Sequence, residues 1–276
     1  MDKKLDKNEL QNLRKIANEV RVDVITMLSA AKSGHPGGSL SVVELVVSLF
    51  YWVMNIDPKN PKWEGRDRFH LSKGHACPTL YSVLARLGYF PKDELNKLRQ
   101  LGGILQGHPH PRTPGVEVAS GSLGQGLSVA CGMALADRLD RKNSCTYVIL
   151  GDGELQEGQV WEAAMFASHY RLDNLYVFID YNRMQIDGKI EEIMNVQPLI
   201  KKFESFGFYV NEVDGHNIKE IVDMIGDARK IKGKPKVIIA NTVKGKGVSF
   251  MENNLDFHGK SPNNGETDKA INELKA

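Results

Sequence analysis

The chain has 276 residues, of which 41% are hydrophobic, and its 36 lysines and arginines nearly balance its 34 aspartates and glutamates. This composition is typical of a globular protein, and a net charge of +2 argues against a nucleic-acid or membrane-surface binder. Three cysteines (Cys77, Cys131 and Cys145) form no CxxC pair, and residues 1–15 contain no apolar signal segment. We therefore expect a cytoplasmic protein that does not enter a membrane.

The N-terminal part of the chain is predicted to be helical. Apolar residues recur every three or four positions through the first ~30 residues, which predicts a long amphipathic helix. The proline and glycines at 33–38 are predicted to end this helix, because they cannot continue it. A second helix is predicted from residue 41, where Ser41 and Glu44 have the spacing of a capping box before an apolar run.

From residue 68 onward, short apolar runs alternate with helical patterns. Strands are predicted at 68–72, 147–150, 175–179, 208–213 and 237–240, and helices at 79–87, from 126, at 160–170 and at 218–231. Apolar strands separated by helices are typical of an α/β fold in which a parallel sheet carries helices on both faces. We expect a single domain over 1–276, with a polar tail from about residue 262.

Glycine-rich turns between strands and helices suggest a phosphate-binding site, but two common nucleotide patterns do not fit. The dinucleotide fingerprint requires GxGxxG, whereas residues 121–126 read GxxGxG. The P-loop requires a glycine five residues before its GK[ST] end, and Asn254 occupies that position before Gly259. The chain is therefore predicted to bind phosphate in another way.

Two polar residues follow neighbouring predicted strands. Asp152 lies in a Gly-Asp-Gly turn after the strand at 147–150, and Asn182 follows the next strand, 30 residues later. The carboxyl ends of parallel strands meet at one edge of a sheet, where ligands usually bind. Carboxylate and amide oxygens suit Mg²⁺ or Ca²⁺, with phosphate oxygens completing the coordination. Taken alone, however, a Gly-Asp-Gly sequence is also compatible with a plain tight turn.

The wider pattern resembles the thiamine diphosphate signature, in which Gly-Asp-Gly is followed at this distance by asparagine. Six segments, in the order of the family, resemble the transketolases: SGHPG at 33–37, LSKGH at 71–75, QGHP at 106–109, SGSLGQG at 120–126, GDGELQEG at 151–158, and KGKG at 244–247 with HGK at 258–260. The resemblance extends from about residue 10 to 262. It implies the thiamine diphosphate-binding fold and the cofactors thiamine diphosphate and Mg²⁺ (or Ca²⁺).

The resemblance also implies roles for individual residues. Metal ligands would be the side chains of Asp152 and Asn182 and the carbonyl of Met184. Cofactor contacts would come from His75, Gly121, Ser122, Leu123, Gly153, Glu154, Asn182, Lys244 and His258. The catalytic groups would be His35, His108, His258 and Glu157, the last at a subunit interface in a proton relay. His70 is interpreted as structural, and His216 is given no role.

The resemblance covers only the diphosphate-binding domain of a transketolase, without the pyrimidine-binding and C-terminal domains. We therefore expect the N-terminal subunit of a split transketolase, active with a partner chain that carries those domains, in an α2β2 heterotetramer. It would transfer a two-carbon ketol unit from a ketose phosphate to an aldose phosphate, as in the pentose phosphate pathway. Two alternatives remain open: half of a 1-deoxyxylulose-5-phosphate synthase-like or unusual-ketose enzyme, and a non-catalytic subunit that keeps the fold.

Overall fold

A computed structural model describes residues 4–275 of the chain. The helices are α1 (Lys7–Ala31), α2 (Pro36–Leu40), α3 (Val43–Ser48), α4 (Cys77–Leu87), α5 (Gly126–Leu139), α6 (Gly158–His169), α7 (Ile190–Ile193), α8 (Leu199–Ser205), α9 (Ile218–Ala228) and α10 (Asn264–Lys275). The strands are β1 (Arg68–Leu71), β2 (Thr146–Gly151), β3 (Leu175–Tyr181), β4 (Tyr209–Asp214) and β5 (Lys236–Asn241). Each predicted strand is present.

The strands form one parallel sheet in the order β1-β2-β3-β5-β4. Alternate residues of β2 enter two separate cores: Tyr147 and Ile149 pack on one face with α1, α3, α4 and α9, while Val148 and Leu150 pack on the other with α5, α6 and α8. Strands buried on both faces explain why their sequences are continuously apolar. The predicted parallel sheet with helices on both faces is confirmed.

Two details of the N-terminal prediction are wrong. The glycine-rich segment does end α1, but Pro36 then opens α2, because proline fits the first position of a helix, where no intrahelical N–H bond is required. Ser41 forms no capping box: α3 begins at Val43 without a side-chain cap, and the Ser41 hydroxyl donates to Asp180 Oδ2 at 2.7 Å. A buried carboxylate on β3 thus accepts from the hydroxyl that the sequence pattern assigned to a capping box.

The polar segment expected from about residue 262 is helical and forms α10. Most of its residues are polar, but two apolar residues one helical turn apart, Ala270 and Leu274, are buried against α1. The Asn18 side chain of α1 donates to the carbonyl of Leu274. Among the helices of residues 4–275, none is long and apolar enough to cross a bilayer.

Candidate active site

The sheet brings Asp152 and Asn182 to the same edge. Strands β2 and β3 are direct neighbours, with Gly151 opposite Asp180, so the residues that follow them leave the sheet side by side. Asp152 Oδ1 accepts from the backbone N–H of Gly153 at 2.8 Å, and Oδ2 accepts from the N–H of Arg183 at 2.5 Å. The juxtaposition predicted from the two motifs is therefore confirmed.

The third predicted metal donor lies in the same group of contacts. Asn182 Oδ1 accepts from the backbone N–H of Met184 at 3.2 Å. The Met184 carbonyl in turn accepts from Lys244 Nζ at 3.3 Å. A carboxylate, an amide and a backbone carbonyl thus converge beside a lysine that comes from the loop after β5.

The electrostatics of Asp152 fit a cation site. Burial, together with the nearby Asp180 carboxylate, raises the pKa of Asp152 to about 7. Within residues 4–275 it forms no ion pair with lysine or arginine, so a bound divalent cation would supply the missing positive charge. No cluster of three or more His, Cys, Asp or Glu in this range could hold a metal. A cation here would need oxygen ligands of mixed origin, including those of a bound phosphate.

Beneath this edge lies a buried ion pair that sequence reasoning missed. Lys73, two residues after the end of β1, and Asp180 of β3 are 1% and 0% exposed. Asp180 accepts from Lys73 Nζ, the hydroxyls of Ser41 and Thr242, and Asn182 Nδ2 at 3.0 Å. Burial alone would raise the pKa of Asp180, but Lys73 and these donors hold it below its usual value. Because Asn182 donates through its amide nitrogen, its oxygen is left to accept, here from the backbone N–H of Met184.

Three loop histidines form a triangle at this edge. The ring centroids of His35, His75 and His258 lie 5.3, 5.6 and 5.7 Å apart. Burial, with nearby Arg99, Lys244 and Lys73, lowers the pKa of His35 to about 4; burial and Lys244 lower that of His258 to about 3. The pKa of His75 is also well below its ordinary value, chiefly through burial. Near neutral pH these rings are uncharged, so each can donate one hydrogen bond and accept another.

The fourth predicted histidine, His108, stands beside the glycine-rich loop before α5. Gly121 has φ +146°, and a Cβ there would lie 3.3 Å from the His108 ring, so glycine is needed on both counts. Ser122 and Leu123 are exposed beside it. A Cβ on Gly38 would similarly lie 3.1 Å from His75 Nε2. Glycine at these two positions lets the backbone pass close to the histidine rings.

The two glutamates predicted to lie in the site, Glu154 and Glu157, have different environments. We expected Glu154 to contact the cofactor, but its buried carboxylate is already occupied: it accepts from Ser72 Oγ, from Gly124 N at 2.9 Å and from Gly151 N at 3.1 Å. The Glu154 carboxylate thus connects the glycine-rich loop to the ends of β1 and β2, and a contact of Glu154 with the cofactor stays a prediction. Glu157 is exposed at the start of α6.

Comparison with known proteins shows the class to which this fold and site belong. The family model described as "Transketolase, thiamine diphosphate binding domain" matches residues 12–275. The chain therefore belongs to the transketolase family, and this part of it is the thiamine diphosphate-binding domain.

Relatives of similar length are named as subunits of transketolases. The chain is 48% identical to the 6-deoxy-6-sulfo-D-fructose transketolase subunit SqwG of Clostridium sp. (strain MSTE9), over 90% of each chain. It is 42% identical to one subunit of the apulose-4-phosphate transketolase of Actinobacillus succinogenes, covering 95% of this chain and 96% of that one. It is 41% identical to human transketolase, but spans only 43% of that protein.

Solved structures agree with the family assignment. Transketolase from Pichia stipitis, in complex with sedoheptulose-7-phosphate, superposes with a TM-score of 0.90 at 35% identity, over 95% of this chain and 40% of that one. The Campylobacter jejuni transketolase also gives 0.90, at 36% identity, over 96% and 43%. The chain thus spans about two fifths of the length of these transketolases.

Proposed function

We propose that this chain is the N-terminal, cofactor-anchoring subunit of a two-chain transketolase that moves a two-carbon ketol unit from a ketose phosphate to an aldose phosphate. The observation that carries the proposal is the convergence of Asp152, Asn182 and the Met184 carbonyl beside the triangle of uncharged histidines. The groups proposed to anchor the phosphates and those proposed to move protons would thus act side by side at one edge of the sheet.

The metal and the cofactor tail would be held by residues that are already in place. Asp152, Asn182 and the Met184 carbonyl would bind Mg²⁺ (or Ca²⁺), whose charge offsets the buried carboxylate. Lys244, which already contacts Met184 O, would reach the diphosphate as a point charge. Gly153 would allow a close backbone approach, and His75 would contact the same tail.

The organic chemistry belongs to thiamine diphosphate, which when bound supplies a nucleophilic carbon and an electron sink for breaking the C–C bond of the ketose. The glycine-rich loop at 121–123 would face the ring end of the cofactor. His35, His108 and His258 would orient sugar hydroxyls and shuttle protons, because a neutral imidazole can donate one hydrogen bond and accept another.

An apolar surface supports the proposal of a partner chain. Leu139 of α5 and Met165 of α6 are 74% and 54% exposed, and Phe166 and Tyr170 are exposed beside them. We call these four residues the α5–α6 face. Apolar surface exposed in this way usually marks a protein interface. The face lies toward the C-terminal ends of α5 and α6, whereas both helices begin beside the candidate site, so a partner that covers the length of the two helices would also reach Glu157 at the start of α6.

The proposed partner is the C-terminal transketolase subunit with the pyrimidine-binding and C-terminal domains, in an assembly of two copies of each chain. Relatives of similar length that are named as subunits support this assignment. The three cysteines are free thiols, which supports a reducing compartment and the cytoplasm.

The test is reconstitution with the chain encoded by the neighbouring reading frame. With thiamine diphosphate and Mg²⁺, the pair is expected to transfer a ketol unit, while each chain alone is nearly inactive; ketose phosphates and a 6-deoxy-6-sulfo ketose are compared as donors. Full activity of this chain alone would refute the split-site proposal. Cofactor binding by the assembled pair without transfer to any acceptor would favour the non-catalytic alternative.

A pair of surface variants tests the interface. Met165→Asp is expected to abolish assembly and activity without lowering the melting temperature, because it puts a charge on the α5–α6 face. Lys232→Asp, exposed in the loop before β5, is the matched control and should assemble normally. Equal assembly by both variants would place the partner elsewhere.

A further inference from the structure

The loop after β5, which carries Lys244, is held from outside the candidate site by a histidine to which sequence reasoning assigned no role. His216 lies in the loop between β4 and α9, and its Nε2 accepts from the backbone N–H of Val243 at 2.8 Å. Nε2 must therefore be unprotonated, so Nδ1 carries the hydrogen and donates to Glu44 Oε2 at 3.0 Å. The ring is oriented at both nitrogens.

Arg21 of α1 completes the arrangement. Its guanidinium lies 2.6 Å from Glu44 Oε1, and its Nε donates to the carbonyl of Lys246 at 3.0 Å. Arg21 and Glu44 are 6% and 7% exposed. Burial alone would raise the pKa of Glu44, but Arg21 and His216 keep it below its usual value. We call Arg21, Glu44 and His216 the His216 clamp; it contacts the chain on both sides of Lys244.

The path of the Lys244 side chain leaves little freedom. A Cβ on Gly37 would lie 3.0 Å from Lys244 Cγ, and Gly245 N donates to the Gly37 carbonyl at 3.0 Å. At the far end, Nζ donates to His258 Nδ1 at 2.7 Å and contacts Met184 O. A shift of the backbone at Val243 would therefore move the ammonium group away from both partners.

We propose that the His216 clamp is a positioning device for Lys244, which fixes the loop backbone so that the buried ammonium group is presented to the cofactor diphosphate. The proposal rests on the proposed function for the role of Lys244. The clamp itself lies outside the site: its residues contact one another and the loop backbone at Val243 and Lys246, not the candidate metal ligands.

The local sequence explains why a histidine can reach this loop. A Cβ on Gly215 would lie 3.0 Å from the carbonyl of Asn241, so only glycine lets the loop after β4 approach the end of β5 so closely. Gly215 N donates to that carbonyl at 2.8 Å, and His216 N donates to Asp214 Oδ1 at 2.9 Å. These bonds fix the backbone from which the His216 ring extends to Val243.

The experiment compares His216→Phe, which keeps a ring but removes both hydrogen bonds, with His216→Gln, whose amide can accept and donate. Asp67→Ala is the control for a merely structural loss. Asp67 is 7% exposed and also accepts from two loop N–H groups, of Asn55 and Cys145, but it precedes β1 at the opposite edge of the sheet.

The first readout is amide hydrogen exchange of residues 241–247 in the full chain, without cofactor. His216→Phe is expected to speed exchange at Val243 by about 10- to 100-fold, because its N–H loses its acceptor. His216→Gln should restore most of the protection, and Asp67→Ala should leave this segment unchanged. Unchanged exchange in His216→Phe would overturn the proposal.

The second readout is the dissociation constant of thiamine diphosphate with Mg²⁺ in the reconstituted enzyme. His216→Phe should raise it about 10- to 100-fold, the usual effect of removing a group that orients a ligand. In a Lys244→Ala background, His216→Phe should raise the dissociation constant little further. An equal rise in both backgrounds would indicate a general loss of stability and would overturn the proposal. If the wild-type enzyme binds no thiamine diphosphate, the proposed function fails, while the exchange experiment still tests the clamp.

Discussion

The buried pair of Lys73 and Asp180 gives the sharpest prediction about stability. Asp180→Asn would leave the Lys73 ammonium 1% exposed without a counter-charge and would replace one acceptor oxygen with a donor. Four donors now share that carboxylate: Lys73, Ser41, Thr242 and Asn182. Breaking a buried ion pair from one side costs about 3–5 kcal/mol. We expect the free energy of unfolding of the metal-free chain to fall by that amount.

Lys73→Met is expected to cost less, about 1–3 kcal/mol, because Asp180 keeps three hydrogen-bond donors. The double variant should cost less than the sum of the two single changes, since neither charge is then buried alone. Urea unfolding followed by circular dichroism at pH 7.5 measures all three variants. Lys97→Met, which breaks an exposed pair with Glu94, is the control and should change stability by less than about 0.5 kcal/mol.

Two results would refute this reasoning: an Asp180→Asn variant within about 1 kcal/mol of the wild type, or additive single changes. The same variant should also weaken binding of thiamine diphosphate with Mg²⁺, because Asn182, a proposed metal ligand, loses the carboxylate acceptor that orients its amide group.

Three further predictions concern single residues. Burial lowers the pKa of His70 to about 4, so the folded state disfavours the protonated ring. The contribution of His70 to stability is complete above pH 6.5 and is lost as the pH falls, by about 2 kcal/mol at pH 5. The His70→Gln variant should lack this part of the pH dependence of the free energy of unfolding. The same dependence of unfolding free energy on pH in the wild type and in His70→Gln would contradict this prediction. Gly121→Ala should destabilise by about 1–3 kcal/mol, because φ is +146° and its Cβ would press on the His108 ring. Gly132→Ala, in the middle of α5 and facing open space, should instead stabilise the fold by about 0.5–1 kcal/mol. Equal effects of Gly121→Ala and Gly132→Ala in thermal melts would contradict this expectation. Leu274→Ala should cost about 2–3 kcal/mol in urea unfolding if α10 packs on α1, and nothing measurable if the segment were a free tail.

The sequence predicted the strands well, because strands buried on both faces are continuously apolar and are separated by helices of ordinary length. The same reasoning placed Asp152 and Asn182 together, since both follow neighbouring parallel strands. It failed for α10, whose two buried positions give too weak a periodicity among polar residues.

The sequence patterns could not predict polar contacts between residues that are distant along the chain. Glu154 stands in a recognised motif, but only the fold shows that Ser72 and two backbone N–H groups occupy its carboxylate. Lys73 and Asp180 gave one usable signal: each is a charged residue at or beside a buried strand, and such a residue needs a partner. His216 gave none, because its partners Glu44 and Val243 are distant along the chain.

The most direct test of the central claim is calorimetric titration of the reconstituted enzyme with thiamine diphosphate, with Mg²⁺ and with a chelator. The wild type is expected to bind in a Mg²⁺-dependent manner, and Asp152→Ala to bind roughly 100-fold or more weakly with no Mg²⁺ dependence. Asp187→Ala, which changes an exposed carboxylate in the loop after β3, should behave as the wild type. Tight, Mg²⁺-dependent binding by Asp152→Ala would contradict the account.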